Sequence, residues 1–231
     1  MDKYYDLHIH SCLSPCADDD MTPANICAMA KLAGLEIVAL TDHNSCGNVR
    51  VFCDRADKQG LIGVPGMELT AREEIHVVCL FPDCDNAERF SDYVSARLPD
   101  IANKPRIFGN QFFIGDGDEP RGEEPRLLLN AADIGVYDVA ALAAGYGGIA
   151  FPAHIDRDAF SLLTVLGMWD DGLGFTLAEC RGELRSPALP ADTPVLTNSD
   201  AHRLDAIPDA RRTLPVAAPT AKAVIDALKA L

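Results

Sequence analysis

The chain has 231 residues, of which 48% are hydrophobic and 24% charged, so its composition is that of a folded domain and excludes a mostly disordered protein. Its 35 acidic and 20 basic residues give a net charge of −15, and such a surface repels a phosphate backbone, so long nucleic acid is not the expected partner. A small anion that enters a locally positive pocket is compatible with this charge.

The chain has no apolar run of the roughly 18 residues that a membrane helix needs, and its start lacks the basic and apolar regions of a secretory signal. We therefore expect a cytoplasmic protein whose eight cysteines are reduced thiols. Cys12 and Cys16 lie in a loop beside the first two histidines. Between a metal-binding role and a role as small packing residues, we favour packing for both. The oligomeric state is left open.

Hydrophobic patterning predicts alternating strands and helices in the first 81 residues. After a strand at 4–10, Thr22 and Pro23 are typical of the first turn of a helix, which the pattern extends to Leu32. The next predicted elements are a strand at 36–41, a helix at 49–59, an apolar segment at 61–69 and a strand at 75–81. This alternation is typical of a parallel sheet or barrel.

Residues 99–125 interrupt this pattern with glycine, proline and acidic residues. We interpret them as an inserted loop or small excursion within one domain that spans 1–231, not as a second domain. Regular alternation then resumes. The predicted elements are a helix at 136–145, a strand at 148–152, a helix at 159–168, strands at 175–179, 194–197 and 212–216, and a helix at 220–231.

The six histidines lie at or just beyond the ends of predicted strands, which is the rim where parallel α/β folds build their sites. His8 and His10 are two residues apart, so on a strand both imidazoles point to the same face. His76 is the exception, because it begins a strand instead of ending one. The full set is His8, His10, His43, His76, His154 and His202.

Carboxylates accompany these histidines. Asp42 precedes His43, Glu68 lies in the segment 61–69, and Asp200 repeats with His202 the spacing of two residues. Nitrogen ligands mixed with carboxylate oxygens suit zinc, manganese or iron better than magnesium. The sequence therefore predicts a metal site at the strand ends.

Five motifs in this order resemble those of the polymerase and histidinol phosphatase (PHP) family of metal-dependent phosphoesterases. They are DLHIHS at 6–11, ALTDHN at 39–44, GMELT at 66–70 with IHVVCLF at 75–81, PAHIDR at 152–157 and NSDAHR at 198–203. The resemblance implies an α/β fold that is a distorted (β/α)7 barrel, with three divalent metal ions at its C-terminal mouth. The strand count and the metal count come from the resemblance alone.

The resemblance also implies a set of ligands. The ligands of the first ion would be His8, His10, Glu68 and Asp200. The ligands of the second ion would be Glu68, His76 and His154. Those of the third would be His43, His202 and a residue of the loop 14–23. Counted back from Thr22, Asp18 is the best match in this loop, and Asp19 and Asp20 are alternatives. The ions would be zinc, manganese or iron.

Divalent ions close together lower the pKa of bound water and hold the attacking and leaving oxygens of a phosphate ester. The expected nucleophile is therefore a hydroxide that bridges two ions, with Glu68 as the bridging carboxylate. Asp42 is expected to orient a histidine or a water molecule. Arg157 and Arg203 follow two of the motifs and are candidates to hold phosphate oxygens, with surface salt bridges as the alternative.

The sequence thus predicts a hydrolase of phosphate monoesters, with a small metabolite or a nucleotide as substrate. One alternative is a nuclease that acts on short single-stranded oligonucleotides, because the family that the chain resembles includes both activities. Another is a noncatalytic structural or regulatory module, which the nearly complete ligand set disfavours.

Overall fold

The computed structural model describes residues 1–182 and 188–231. The strands in these residues are β1 (Asp2–Ile9), β2 (Ile37–Leu40), β3 (Ile62–Thr70), β4 (His76–Leu80), β5 (Phe112–Ile114), β6 (Pro120–Glu123), β7 (Ile149–Pro152), β8 (Ala178–Cys180), β9 (Val195–Thr197) and β10 (Thr213–Pro215). The helices are α1 (Pro23–Leu32), α2 (Val49–Lys58), α3 (Cys84–Ser95), α4 (Pro105–Phe108), α5 (Val136–Gly145), α6 (Leu162–Leu166) and α7 (Ala221–Leu228).

A curled six-stranded sheet in the order β10-β1-β2-β3-β4-β7 forms one half of a barrel. β8 and β9 pair in parallel beside it, linked through Ile155, whose backbone N–H donates to the carbonyl of Glu179 at 2.9 Å. Ala201, beyond β9, returns to β1, where its carbonyl accepts from the backbone N–H of His10 at 2.9 Å. The predicted distorted α/β barrel is confirmed.

The sheet is mixed, although the sequence pattern suggested parallel strands. β1, β2 and β3 are parallel, whereas β4 runs antiparallel to β3 and to β7, and β10 runs antiparallel to β1. In the antiparallel pair, His76 at the start of β4 lies opposite Thr70 at the end of β3. A strand start and a strand end therefore meet at the same edge, which explains the position of His76.

Apolar residues pack on both faces of the sheet. One cluster includes Phe52 of α2 and Phe90 of α3, and another joins Leu7 of β1 to Val224 and Leu228 of α7. α1 starts as predicted, since the Thr22 hydroxyl accepts from the backbone N–H of Asn25 at 3.3 Å. These clusters pack the strands beneath the edge that carries the histidines.

Two regions differ from the predicted elements. The interval 99–125 contains α4 and the hairpin of β5 and β6, and the single-domain organisation remains a prediction. The helix predicted at 159–168 is only α6, because Gly167 takes a left-handed conformation, with φ of 77°, that ends it. None of the helices within residues 1–182 and 188–231 has the length and apolar character of a membrane span.

Candidate metal centre

Four donor atoms converge where β1, β3 and the segment after β9 meet. His8 Nε2 lies 3.1 Å from His10 Nε2, and each of these nitrogens lies 3.3 or 3.4 Å from oxygens of Glu68 and Asp200. Ligands about 2.1 Å from a tetrahedral ion lie about 3.4 Å from one another. The four side chains therefore have the spacing that a single zinc-like ion requires.

Glu68 is the hub of the whole cluster. Its Oε1 lies 2.9 Å from His76 Nδ1 and 3.1 Å from His154 Nε2, and its Oε2 lies 3.0 Å from His43 Nδ1. Since His8 and His10 also approach it, one carboxylate faces imidazoles from four segments of the chain. This position suits a carboxylate that bridges ions, and that role, which the resemblance implied for Glu68, stays a prediction.

Two further groups share some of these donors, and His154 is in none of the three. His43, Glu68 and His76 make one, and His10, His43 and His202 make the other, with the ligand atoms of each group within 4.8 Å of one another. His43 thus belongs to both groups, whereas the sequence analysis placed it only with His202. The carboxylate of Asp18 is in neither group: its side chain is 56% exposed, and its Oδ2 lies 3.9 Å from Arg203.

Several buried polar atoms of the cluster have no hydrogen-bond partner. They are His43 Nδ1, Glu68 Oε2 and His154 Nδ1. His43 Nδ1 and Glu68 Oε2 are only 3.0 Å apart, but their orientation does not make a hydrogen bond. Buried polar atoms left unpaired are costly, and a cation between them would satisfy both. The donor set therefore fits the metal ions that the sequence implied.

The titration of these groups reflects their crowding. Burial works against protonation of His10, but hydrogen bonds to Asp200 and Glu68 raise its pKa to about 9. Burial and the neighbouring His10 instead lower the pKa of His202 to about 3. Burial also opposes ionisation of Glu68, yet His76, His8 and His43 hold its pKa well below the usual range. The centre favours ionised carboxylates and needs positive charge beside them.

Two residues that the sequence analysis missed hold the imidazoles from behind. Both oxygens of Glu179, at 2.9 and 3.0 Å, approach His8 Nδ1, and Asn198 Nδ2 donates to Glu179 at 2.7 Å. Ser14 Oγ lies 2.9 Å from His10 Nδ1 and donates to Asp42 at 2.7 Å. Asp42 thus reaches His10 through a hydroxyl, and both rings are held with Nε2 towards the centre.

Two of the candidate ligands have a strained backbone. His154 has a φ of 28° and Asp200 a φ of 54°, in the left-handed region that residues other than glycine rarely adopt. Such a conformation costs on the order of 1–3 kcal/mol and persists only where surrounding contacts impose it. Both side chains reach the cluster, with His154 Nε2 at 3.1 Å from Glu68 Oε1 and Asp200 Oδ1 at 3.3 Å from His10 Nε2, and strain of this kind is usual at functional sites.

A cavity of about 510 Å³ opens above the centre. Arg157 Nη1 donates to Asp200 Oδ2 at 2.9 Å, and Arg181 Nη1 lies 3.9 Å from the same oxygen. Arg203 also lines the cavity, but its guanidinium pairs with Asp205 at 3.1 Å and is 64% exposed. The sequence analysis named Arg157 and Arg203 and missed Arg181, which follows β8 directly.

A family model described as PHP domain matches residues 6–139, more than half of the chain. The chain belongs to the PHP domain family. Membership makes it a metal-dependent hydrolase, and its clustered histidines and carboxylates are the groups that could bind the metal. No curated protein matches the sequence significantly.

Solved structures share the fold of this PHP domain. The whole chain matches the lesion-specific endonuclease Q of Pyrococcus furiosus with a TM-score of 0.72 and 21% identity, and it covers 56% of that protein. Endonuclease Q bound to a 27-mer duplex with an abasic lesion gives a TM-score of 0.72 and 20% identity, with 100% of this chain and 57% of that chain covered. A Bifidobacterium adolescentis protein proposed to be a metal-dependent phosphoesterase gives a TM-score of 0.57 and 17% identity, with 87% of this chain and 88% of that chain covered. At these identities the likeness is one of fold.

Proposed function

We propose that this PHP domain hydrolyses phosphate monoesters of a small metabolite or a nucleotide, with three divalent ions of zinc, manganese or iron. The observation that carries the proposal is the hub at Glu68, where five imidazoles lie within 3.4 Å of one carboxylate. This hub forms the floor of a cavity whose wall includes three arginines.

Ions held by these ligands supply an activated water and polarise the ester, so no side-chain nucleophile is required. The protein itself positions the reacting groups. Arg157 and Arg181 bring two guanidinium groups to one side of the cavity, where both approach Oδ2 of Asp200. Guanidinium groups bind phosphate oxygens through paired hydrogen bonds, so this side suits the nonbridging oxygens of a dianion.

Phe160 offers the leaving group an apolar surface. Its ring stacks on His76, with centroids 4.6 Å apart and an interplanar angle of 18°, and 42% of the residue is exposed. Since Phe160 also lines the cavity, a nucleobase or a carbon skeleton can pack there while the phosphate lies over Glu68. The cavity volume of about 510 Å³ is in the range of small-molecule sites.

The test is release of inorganic phosphate by protein loaded with zinc, manganese or iron. The substrates are nucleoside monophosphates, sugar phosphates and a chromogenic monoester, and Glu68→Gln serves as the inactive control. We expect turnover of at least one monoester class by the unmodified protein only. No release from any ester by fully loaded protein would contradict the proposal and favour the noncatalytic module.

A nuclease is the second candidate, and the fold match to endonuclease Q favours it. That match extends over all of this chain, which spans little more than half of the larger protein. Because an endonuclease shares this fold, the net negative charge of the chain is weaker evidence against a DNA substrate than it was when the sequence was considered alone. Short single strands, an intact duplex and a duplex with an abasic site should be compared at fixed low salt. Cleavage of DNA without phosphate release from monoesters would make the chain a nuclease.

A further inference from the structure

A second cavity, of about 360 Å³, adjoins the cavity above the metal centre. It lies where β1 and β9, which belong to different sheets, come together beside the segment that leads to β10. Arg181 and Ala206 line both cavities. Ser199 is on the wall of the second cavity, and Asp200, the next residue, is on the wall of the first. One small molecule can therefore reach into both.

The floor of the second cavity consists of polar side chains that are buried and fixed in place. These side chains are Tyr5, Asp6 and Asn198. Asn198 accepts from a backbone N–H of β1 at 2.9 Å and donates to Glu179 at 2.7 Å. Oδ1 of Asp6 accepts from the backbone N–H of Ser199 at 3.2 Å. The floor is thus arranged before any ligand binds.

The exposed charges of the second cavity are mostly positive. Its lining includes the three arginines Arg181, Arg211 and Arg212, all of them exposed. The carboxylates in the lining are those of Asp209, which is exposed, and Asp6, which is only 1% exposed. The chain as a whole has 35 acidic and 20 basic residues, so the second cavity reverses the overall balance of charge. Guanidinium groups bind phosphate oxygens through paired hydrogen bonds, and this lining therefore suits an anionic group.

The backbone places these arginines on two sides of the floor. The carbonyl of Arg212 accepts from the backbone N–H of Tyr5 at 3.1 Å, just before β10 pairs with β1, so Arg211 and Arg212 lie next to β1. Arg181 follows β8, and its Nη1 lies 3.9 Å from Oδ2 of Asp200 in the metal centre. Arg181 is therefore at the boundary between the two cavities.

We propose that the second cavity is a subsite for a second phosphate group of the substrate, bound by Arg211 and Arg212 and, at the boundary, by Arg181. The proposal rests on the metal-dependent hydrolysis proposed above and narrows its substrates to molecules that carry two phosphate groups close together. The second phosphate belongs either to a small bisphosphate or to the next linkage of a short oligonucleotide, since both offer the same oxygens to guanidinium groups. The ester that is hydrolysed lies over Glu68, and the second phosphate only binds.

Discrimination between substrates tests the proposal. Phosphate release by metal-loaded protein is measured for two matched pairs, fructose 1,6-bisphosphate against fructose 6-phosphate, and a 5′-phosphorylated thymidine dinucleotide against thymidine 5′-phosphate. Arg211→Glu reverses one charge of the second cavity, and Arg121→Glu makes the same change on the exposed strand β6. We expect kcat/KM to favour the doubly charged member of at least one pair, and this preference to fall at least about tenfold in Arg211→Glu but not in Arg121→Glu.

The pair that responds identifies the source of the second phosphate. A preference that is the same in all three proteins, or that falls equally in both variants, would overturn the proposal.

Binding of inorganic phosphate to the metal-free protein gives a readout that needs no turnover. Without ions, the carboxylates of Glu68 and Asp200 repel an anion, so phosphate should bind in the second cavity. A phosphorus NMR titration should show an affinity at least about fivefold weaker in Arg211→Glu than in Arg121→Glu. Equal affinities, or no binding by the unmodified protein, would count against the subsite. Weaker binding in Arg211→Glu, in a protein that hydrolyses no ester, would sustain the subsite and refute the proposed activity, and turnover with equal affinities would do the reverse.

Discussion

Glu179 approaches His8 Nδ1 with both carboxylate oxygens, at 2.9 and 3.0 Å, on the side of the ring opposite to Glu68 and Asp200. The contact joins β8 to β1 across 171 positions of sequence. It fixes the tautomer of His8, because a carboxylate on Nδ1 keeps the proton there and leaves the Nε2 lone pair for a cation.

Glu179→Gln should therefore weaken metal binding by about 10- to 100-fold, which is the usual effect of removing a carboxylate behind a histidine ligand. The amide retains the shape of the side chain, so the fold should persist. Competition with a chromophoric chelator measures the affinity, and circular dichroism checks the fold. Glu88→Gln, on the exposed face of α3, is the matched control. Equal affinities in the two variants would remove Glu179 from the centre.

Glu68→Gln should affect all ions together, since Glu68 approaches at least one histidine of each of the three donor groups. We expect a loss of turnover on the order of a thousandfold, because ligands of catalytic ions are worth several kcal/mol. Elemental analysis of the purified variant should show fewer than the three ions proposed for the unmodified protein. Normal metal content with normal turnover would show that Glu68 is not the bridge. Glu36→Gln, whose carboxylate pairs with Lys3, is the control.

Arg157→Ala and Arg203→Ala should differ in their effects. Arg157 already binds a carboxylate oxygen at the floor of the cavity, whereas Arg203 is tied to Asp205 at the surface. Losing a charge-assisted hydrogen bond should raise KM for a monoester about 10-fold or more in Arg157→Ala, and Arg203→Ala should change it less than about twofold. Metal content is measured in both. Identical kinetics in the two variants would contradict this distinction.

Asp6 should make the metal-free protein less stable as pH rises. It is 1% exposed, its Oδ2 has no hydrogen-bond partner, and burial raises its pKa to about 6 despite hydrogen bonds from Ser199 and His8. A folded-state pKa above the unfolded value gives stability at low pH that is lost as pH rises through about 6. The loss amounts to about 3 kcal/mol at most, at 1.36 kcal/mol per tenfold change in proton affinity.

Urea unfolding of the metal-free protein and of Asp6→Asn at pH 5, 7 and 8 measures this effect. The variant keeps an oxygen that accepts from the backbone donors but cannot ionise. The free energy of unfolding of the variant minus that of the unmodified protein should therefore increase as pH rises. Other titrating groups are common to both proteins and cancel in the difference. A difference that is constant with pH would mean that Asp6 keeps an ordinary pKa in the folded state.

The sequence could indicate the candidate ligands at strand ends because the spacing of residues along a strand determines which face each side chain is on. His8 lies in β1 and His10 one residue beyond it, so the two-residue repeat of a strand predicts that both point the same way, and Glu68 follows an apolar run in β3. His76 looked misplaced in the sequence, since hydrophobic patterning does not reveal strand direction. Only the antiparallel register of β3 and β4 brings it to the same edge.

Other contributions could not be read from the sequence. Glu179 is the middle residue of β8 and has no histidine near it in the sequence, and its contact with His8 arises only because the fold brings β8 close to β1. Arg181 is recognised as a candidate site residue only from its distance to Asp200 in the folded chain. α3 was missed although a signal existed: Asp83 accepts from the backbone N–H of Asn86 at 2.8 Å, a cap that the sequence could have suggested.

Because one carboxylate, Glu68, lies at the hub of the cluster, the ions proposed for this centre are expected to depend on one another for binding. Loss of one ion would leave a negative charge on Glu68, which is 1% exposed, without a compensating cation. It would also weaken the contacts between Glu68 and the imidazoles that hold the other ions. Binding of the ions would then be coupled, so that a chelator that removes one ion would also weaken the binding of those that remain. If the proposed ions bind in this coupled way, the centre would fill over a narrow range of metal concentration.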